Sequence, residues 1–150
     1  MNDGIWGSWK PAQFNPNHEV GELHITADGS ELYFHSSRSG GKGEYDIWVS
    51  EKGQQGWSEP ENVSVVNSAQ SEGWPFISQD GNELWFTRGN GAPELYRSKW
   101  INGAWSEPLR MFSHFSGEAS LDSAGNVYFT HHYFRDDKML EADIYLAKKK

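Results

Sequence analysis

The chain has 150 residues, 13 basic against 21 acidic side chains, a formal net charge of −8 and no cysteine. That length suits one domain, and the acidic balance argues against a general nucleic-acid binder, which needs a basic stripe to displace phosphate counterions. The missing thiols exclude disulfides, Cys-zinc sites and Cys nucleophiles.

No run approaches the roughly 20 apolar residues needed to cross a bilayer. Met1-Asn2-Asp3-Gly4 also lacks the basic region and apolar stretch of a signal peptide. Neither a nucleic acid nor a membrane is an expected partner. The 8 Trp, 6 Tyr and 8 Phe, spaced by 16 Gly and 6 Pro, point to short half-buried strands between turns. With no apolar stripe at helical spacing, the expected fold class is all-β.

Along the chain, Trp9-Lys10-Pro11 opens a phrase that returns as Trp57-Ser58-Glu59-Pro60 and Trp105-Ser106-Glu107-Pro108, each 48 residues on. Between the first two phrases, Asp28-Gly29 turns into Leu32-Tyr33-Phe34, and Asp46-Ile47-Trp48 follows. The second unit repeats this order as Asp80-Gly81, Leu84-Trp85-Phe86 and Glu94-Leu95-Tyr96. The third runs Ala124-Gly125, Val127-Tyr128-Phe129 and Asp143-Ile144-Tyr145. The spacing predicts three units, over about 9–56, 57–104 and 105–150, within one segment.

Each unit reads as four strands. In the second they cover about Trp74 to Ser78, Glu83 to Thr87, Glu94 to Lys99, and an outer strand from Trp105 whose Pro108 suits an edge. Asp80-Gly81 and Asn102-Gly103 supply the positive φ of tight hairpins. Four antiparallel strands repeated every 40–50 residues define β-propeller blades. A jelly roll or sandwich predicts no such repeat.

The run from Asp28 to Gly41, continuing to Asp46-Ile47-Trp48, together with the Trp-Ser-Glu-Pro phrases, resembles the TolB-type WD40-like (PD40) propeller repeat. The resemblance extends from about Trp9 to Ala147. It implies a propeller and, from the proteins in which such repeats occur, a periplasmic or secreted parent. The third unit departs from the pattern at Ala124 and in the loop that starts at Thr130-His131-His132.

Closed propellers have about four to eight blades, so three four-stranded blades make half of one. The chain opens on a fourth-strand phrase and closes on a third strand. The expectation is a six-bladed homodimer with C2 symmetry, in which the N-terminal strand of each copy completes the third blade of the other. Two alternatives are the excised half of a longer propeller and an engineered or fragment-derived half whose only activity is self-assembly.

On a propeller the fourth-to-first and second-to-third loops share one face, here 15–19, 35–44, 67–71, 88–92, 114–117 and 131–138. The ligand-binding candidates on or beside that face are His35, Arg38, Trp74, Arg88, His114, His131, Glu22, Glu72 and Glu118. Trp74 is not repeated and suits a stacking platform. Glu22, Glu72 and Glu118 admit two readings, bonds that serve the repeat or the acid–base pair of a glycoside-cleaving propeller.

Imidazole and carboxylate at His114, Glu118, His131 and His132 suit a transition metal chemically. Adjacent strand residues point to opposite faces, however, and no metal or other cofactor is expected. There is no Ser–His–Asp spacing, phosphate loop or His-Glu-x-x-His phrase. The expected function is a non-catalytic binding or scaffold module for a polar small molecule, carbohydrate or peptide at the channel mouth.

Overall fold

Two devices set the strands apart. A hydroxyl two residues before the turn Asp accepts the N–H that opens the second strand, from Glu31 to Thr26 Oγ1 at 3.0 Å and from Glu83 to Ser78 Oγ at 2.9 Å. The turn carboxylate then closes on its own loop, Asp28 accepting from the Ser30 N–H and Asp80 from the Asn82 N–H. In the third unit the turn is one residue shorter and Ala124 carries no carboxylate. Asp122, at the hydroxyl position, supplies both bonds and accepts from the Ala124 and Asn126 N–H groups. These hydrogen bonds hold the Asp28 carboxyl at about 2 and keep Asp80 and Asp122 below the usual carboxylate range.

The computed structural model describes Gly7, Ser8 and residues 18–150. The Trp9-Lys10-Pro11 phrase and most of the 15–19 loop lie outside the described residues. Among them every regular element is a strand, and no helix is long and apolar enough to cross a membrane. The first antiparallel sheet holds β1 (Val20–Ile25), β2 (Glu31–Ser36) and β3 (Asp46–Gly53), with β4 (Gly56–Trp57) and β5 (Glu61–Asn62) both on β3. The second repeats it with β6 (Glu72–Ile77), β7 (Glu83–Arg88), β8 (Glu94–Ile101), β9 (Ala104–Trp105) and β10 (Leu109–Phe112). The third holds only β11 (Ser116–Leu121), β12 (Val127–Arg135) and β13 (Lys138–Ala147). Between sheets, β6 lies against β1 and β2, and β11 against β6, β7 and β8. The architecture is propeller-like.

Two expectations are corrected. The outer strand does not run on from Trp105. Trp57 and Trp105 finish the preceding hairpin, opposite Lys52 and Trp100, and the ladder resumes only past Pro60 and Pro108, which have no N–H to give. Segment 131–138 is also not a loop. Without the Gly pair of the first unit, β12 and β13 extend into a long hairpin closed by Asp136-Asp137, both left-handed with φ 49° and 59°.

The core lies between sheets. Tyr33 and Ile47 meet Ile77, Leu84 and Phe86 through Val63 and Val66 of the linking chain. Trp85 and Leu95 meet Ala119, Val127 and Phe129 in the same way. One backbone bond recurs at both junctions: Glu72 N–H donates to the Tyr45 carbonyl at 2.8 Å and Ser116 N–H to the Pro93 carbonyl at 3.0 Å.

The repeat makes burial comparable position by position. Ile47 and Leu95 are both 0 % exposed, whereas their counterpart Ile144 is 77 % exposed. Tyr33 and Trp85 are buried while Tyr128 is open. At the other end of the stack the inversion runs the opposite way: Ala119 is 6 % exposed and its counterpart Leu23 is 67 % exposed. The third sheet thus opens junction positions to solvent, and the first opens Leu23 and Ile25 while its Leu32, Phe34 and Trp48 stay buried in a cluster with Trp57.

Candidate functional site

Each first strand contains one bulge. The ladder shifts after Gly21, Gly73 and Gly117, and the next residue turns left-handed: Glu22 at φ 44°, Trp74 at 49°, Glu118 at 55°. A side chain before the bulge would crowd its neighbour, because a Cβ on Gly21 would sit 2.9 Å from His35 Nε2, one on Gly73 3.0 Å from His35 Nδ1 and one on Gly117 3.1 Å from Thr87 Oγ1. The His35 imidazole therefore lies wedged between two first strands. Glu22, Trp74 and Glu118 are structural counterparts, so the position is repeated although the tryptophan is not. Glu72 belongs to a different position, beside Val20 and Ser116 in the repeat.

Trp74 divides two recesses. On one side a cleft of about 330 Å³ between the first and second sheets is lined by His35, Tyr45, Glu72, Gly73, Trp74 and Thr87 among others. His35 stands edge-on to both aromatic neighbours, 5.2 Å from Tyr45 and 5.9 Å from Trp74 between ring centroids. The Tyr45 hydroxyl donates to the Glu19 carboxylate, which pushes that phenol up. Burial pulls the His35 imidazole below its ordinary value, with the Glu22 charge opposing. Two buried polar atoms of the cleft have no partner, His35 Nδ1 and Thr87 Oγ1. On the other side of the indole is a shallower depression of about 210 Å³, where Glu22 and Glu118 flank Trp74.

The remaining candidates separate by environment. Glu72 lines the cleft but is fully engaged: its enclosed carboxylate accepts from Arg88 Nε at 2.7 Å, Ser68 Oγ at 2.6 Å and Ser68 N–H at 3.1 Å. Burial pushes its carboxyl up, and the Ser68 and Arg88 bonds oppose that. Arg88 also donates to the Val66 carbonyl, so this ion pair fastens the linking chain to β7.

Arg38 lies outside the cleft. Its guanidinium sits over Phe34 and Trp48 at 5.0 and 5.2 Å, as that of Arg88 sits over Phe86 and Tyr96 at 5.7 and 4.6 Å. The two guanidiniums fill one place from backbone positions two residues apart. Exposed His114 lies just before β11, and His131 packs on Tyr133 and Tyr145; neither lines the cleft. Among the described residues no three His, Asp or Glu side chains converge as a metal site.

Sequence reasoning missed Tyr45 and Thr87. Thr87 follows Phe86 as His35 follows Phe34, which was the available signal. No protein-family model matches the chain, and a search of curated proteins found no match.

Proposed function

We propose that the chain is a non-catalytic binding module, half of a six-bladed propeller that closes on a second copy of itself and takes a polar ligand beside its axis. The inverted burial at the two ends of the stack carries this reading. Ile144 and Tyr128 on one end sheet, and Leu23 and Ile25 on the other, are the same positions that form the two internal junctions. The exposed positions at the two ends are therefore counterparts of packed ones, and two copies related by a two-fold axis would cover them, with Leu32, Phe34 and Trp48 of the first sheet already enclosed. The partner's N-terminal phrase would complete the three-stranded sheet along β13, a long unpaired edge of the kind natural sheets cover.

Binding is favoured over glycoside cleavage because Glu72 is enclosed by Ser68 and Arg88. The Asp-Gly turns and Asp-Ile-aromatic strands support kinship with TolB-type PD40 repeats, and with it a periplasmic or secreted origin.

Light scattering after size exclusion tests the closure. The full chain should run near twice 17.1 kDa, and a variant lacking residues 1–14 should run as a monomer. A folded, monomeric full chain would overturn the ring and direct attention to further repeats of a longer parent.

A further inference from the structure

We infer that Trp74 is the platform of a site for an organic cation, an alkylammonium or quaternary ammonium group held against the indole and neutralised by Glu22 and Glu118. The inference rests on the binding-module reading above and names its ligand class.

Three observations carry it. First, the fold does not require a tryptophan here. The same bulge is built twice with glutamate, at the same left-handed φ. Trp74 nonetheless stands 40 % exposed at the junction of both recesses. In a repeat protein, residues that recur serve the repeat, and the one that breaks it is free to serve a ligand.

Second, the charge around it has one sign. Glu22 and Glu118 are exposed and make no hydrogen bond or ion pair with any described residue. Neither recess is lined by Lys or Arg. Burial lowers both neighbouring imidazoles, His24 and His35, which disfavours their cationic form. An anion would meet nothing to pair with, whereas a cation meets an indole and two carboxylates, the combination that attracts ammonium groups.

Third, the adjoining cleft is unfinished. Thr87 is 3 % exposed and its hydroxyl is unpartnered, as is His35 Nδ1. A buried polar group without a protein partner needs another source of hydrogen bonding, an ordered water or a bound molecule. Its counterpart junction, between the second and third sheets, replaces His35, Tyr45 and Trp74 by Thr87, Pro93 and Glu118. The aromatic cleft therefore belongs to the first junction alone.

The experiment titrates choline, and separately its neutral isostere with carbon in place of the quaternary nitrogen, into the full chain. Binding is followed through the indole N–H resonances. Choline should shift the Trp74 resonance and bind on the order of tenfold more tightly than the isostere. Trp74→Glu installs the residue that the other two bulges carry, so it should fold with little change in stability and lose choline binding. Glu22→Gln with Glu118→Gln should weaken choline several-fold and flatten its salt dependence.

Equal binding of the two probes, no binding of choline, or binding that survives Trp74→Glu would each overturn the site. The mass of the same samples keeps the two readings separate. A monomer that binds choline refutes the ring and upholds the site, and a dimer that binds neither probe does the reverse.

Discussion

Replacing Ile144 and Ile47 by alanine, one at a time, separates a face awaiting a partner from a face already packed. Both residues hold the same place in their sheets, yet Ile47 is 0 % exposed and Ile144 is 77 % exposed. Ile→Ala removes three carbons, worth about 2.4 kcal/mol when the side chain is fully buried, at roughly 0.8 kcal/mol per methylene. For Ile47 that loss, with the cavity it leaves, falls on folding itself and should cost about 2–5 kcal/mol at any protein concentration.

For Ile144 most of the side chain is in water in the single chain, so on the proposed closure roughly three quarters of the transfer term, near 1.8 kcal/mol, would fall on each junction formed. A closed pair has two such junctions. The Ile144→Ala dimer should therefore dissociate with a Kd between two and three decades higher, from a combined loss of about 3.6 kcal/mol. Light scattering across a dilution series reads the Kd, and urea unfolding at low concentration reads the fold. The reasoning fails if Ile144→Ala leaves dissociation untouched, or if it lowers the low-concentration urea midpoint as much as Ile47→Ala does.

Three further outcomes follow from the geometry. Glu72→Ala strands Arg88 and the Ser68 N–H at a buried junction and should cost about 3 kcal/mol of stability by urea titration, Glu72→Gln less; a loss below 1 kcal/mol would mean that the ion pair fastens nothing. Burial holds His24 and His35 below their ordinary value, so between about pH 7.5 and 5.5 the unfolded chain takes up protons that the folded chain refuses. Stability should be full above that window and decline as the pH falls through about 6.5, with His35→Gln flattening part of the slope; a flat wild-type profile would remove the burial argument. Gly43→Ala would put a Cβ 1.9 Å from the Gln70 carbonyl oxygen and 3.1 Å from that of Ser68. Both obstacles are backbone, so the cost should be about 3 kcal/mol, and a melting temperature within a degree or two of wild type would show that the linking chain yields freely.

Strand order and hairpins were legible because Asp-Gly and Asn-Gly turns lie between aromatic runs of fixed spacing, a local signal that tertiary packing does not need to supply. What escaped depended on the bulges. An inserted residue alters which side chains face the axis without altering composition, so Trp74 read as a lone aromatic when it is the counterpart of Glu22 and Glu118. The cleft escaped for a related reason. Tyr45, just before β3, and Thr87, on β7, line one cleft only once the chain is folded, with His35 seated between Gly21 of β1 and Gly73 of β6. The exchange of Asp122 for a hydroxyl and a turn Asp was equally hidden, since the loss of the carboxylate at Ala124 reads as decay until the new hydrogen bonds are seen.

The bulges also bear on what the chain leaves alone. β1, β6 and β11 each carry an edge with no strand beyond it among the described residues, and a continuous row of N–H and C=O groups there would template the addition of any extended peptide. A left-handed residue two positions into each of those strands breaks the row, turning one peptide unit out of line before a second chain can zip along it. Those three edges are thus closed to β-sheet growth. By contrast, the ten-residue outer edge of β13 has no left-handed residue along its length and keeps a register in which another strand can add. Among the described residues β13 is therefore the longest edge open to strand addition, beside the four-residue β10 at the end of the second sheet.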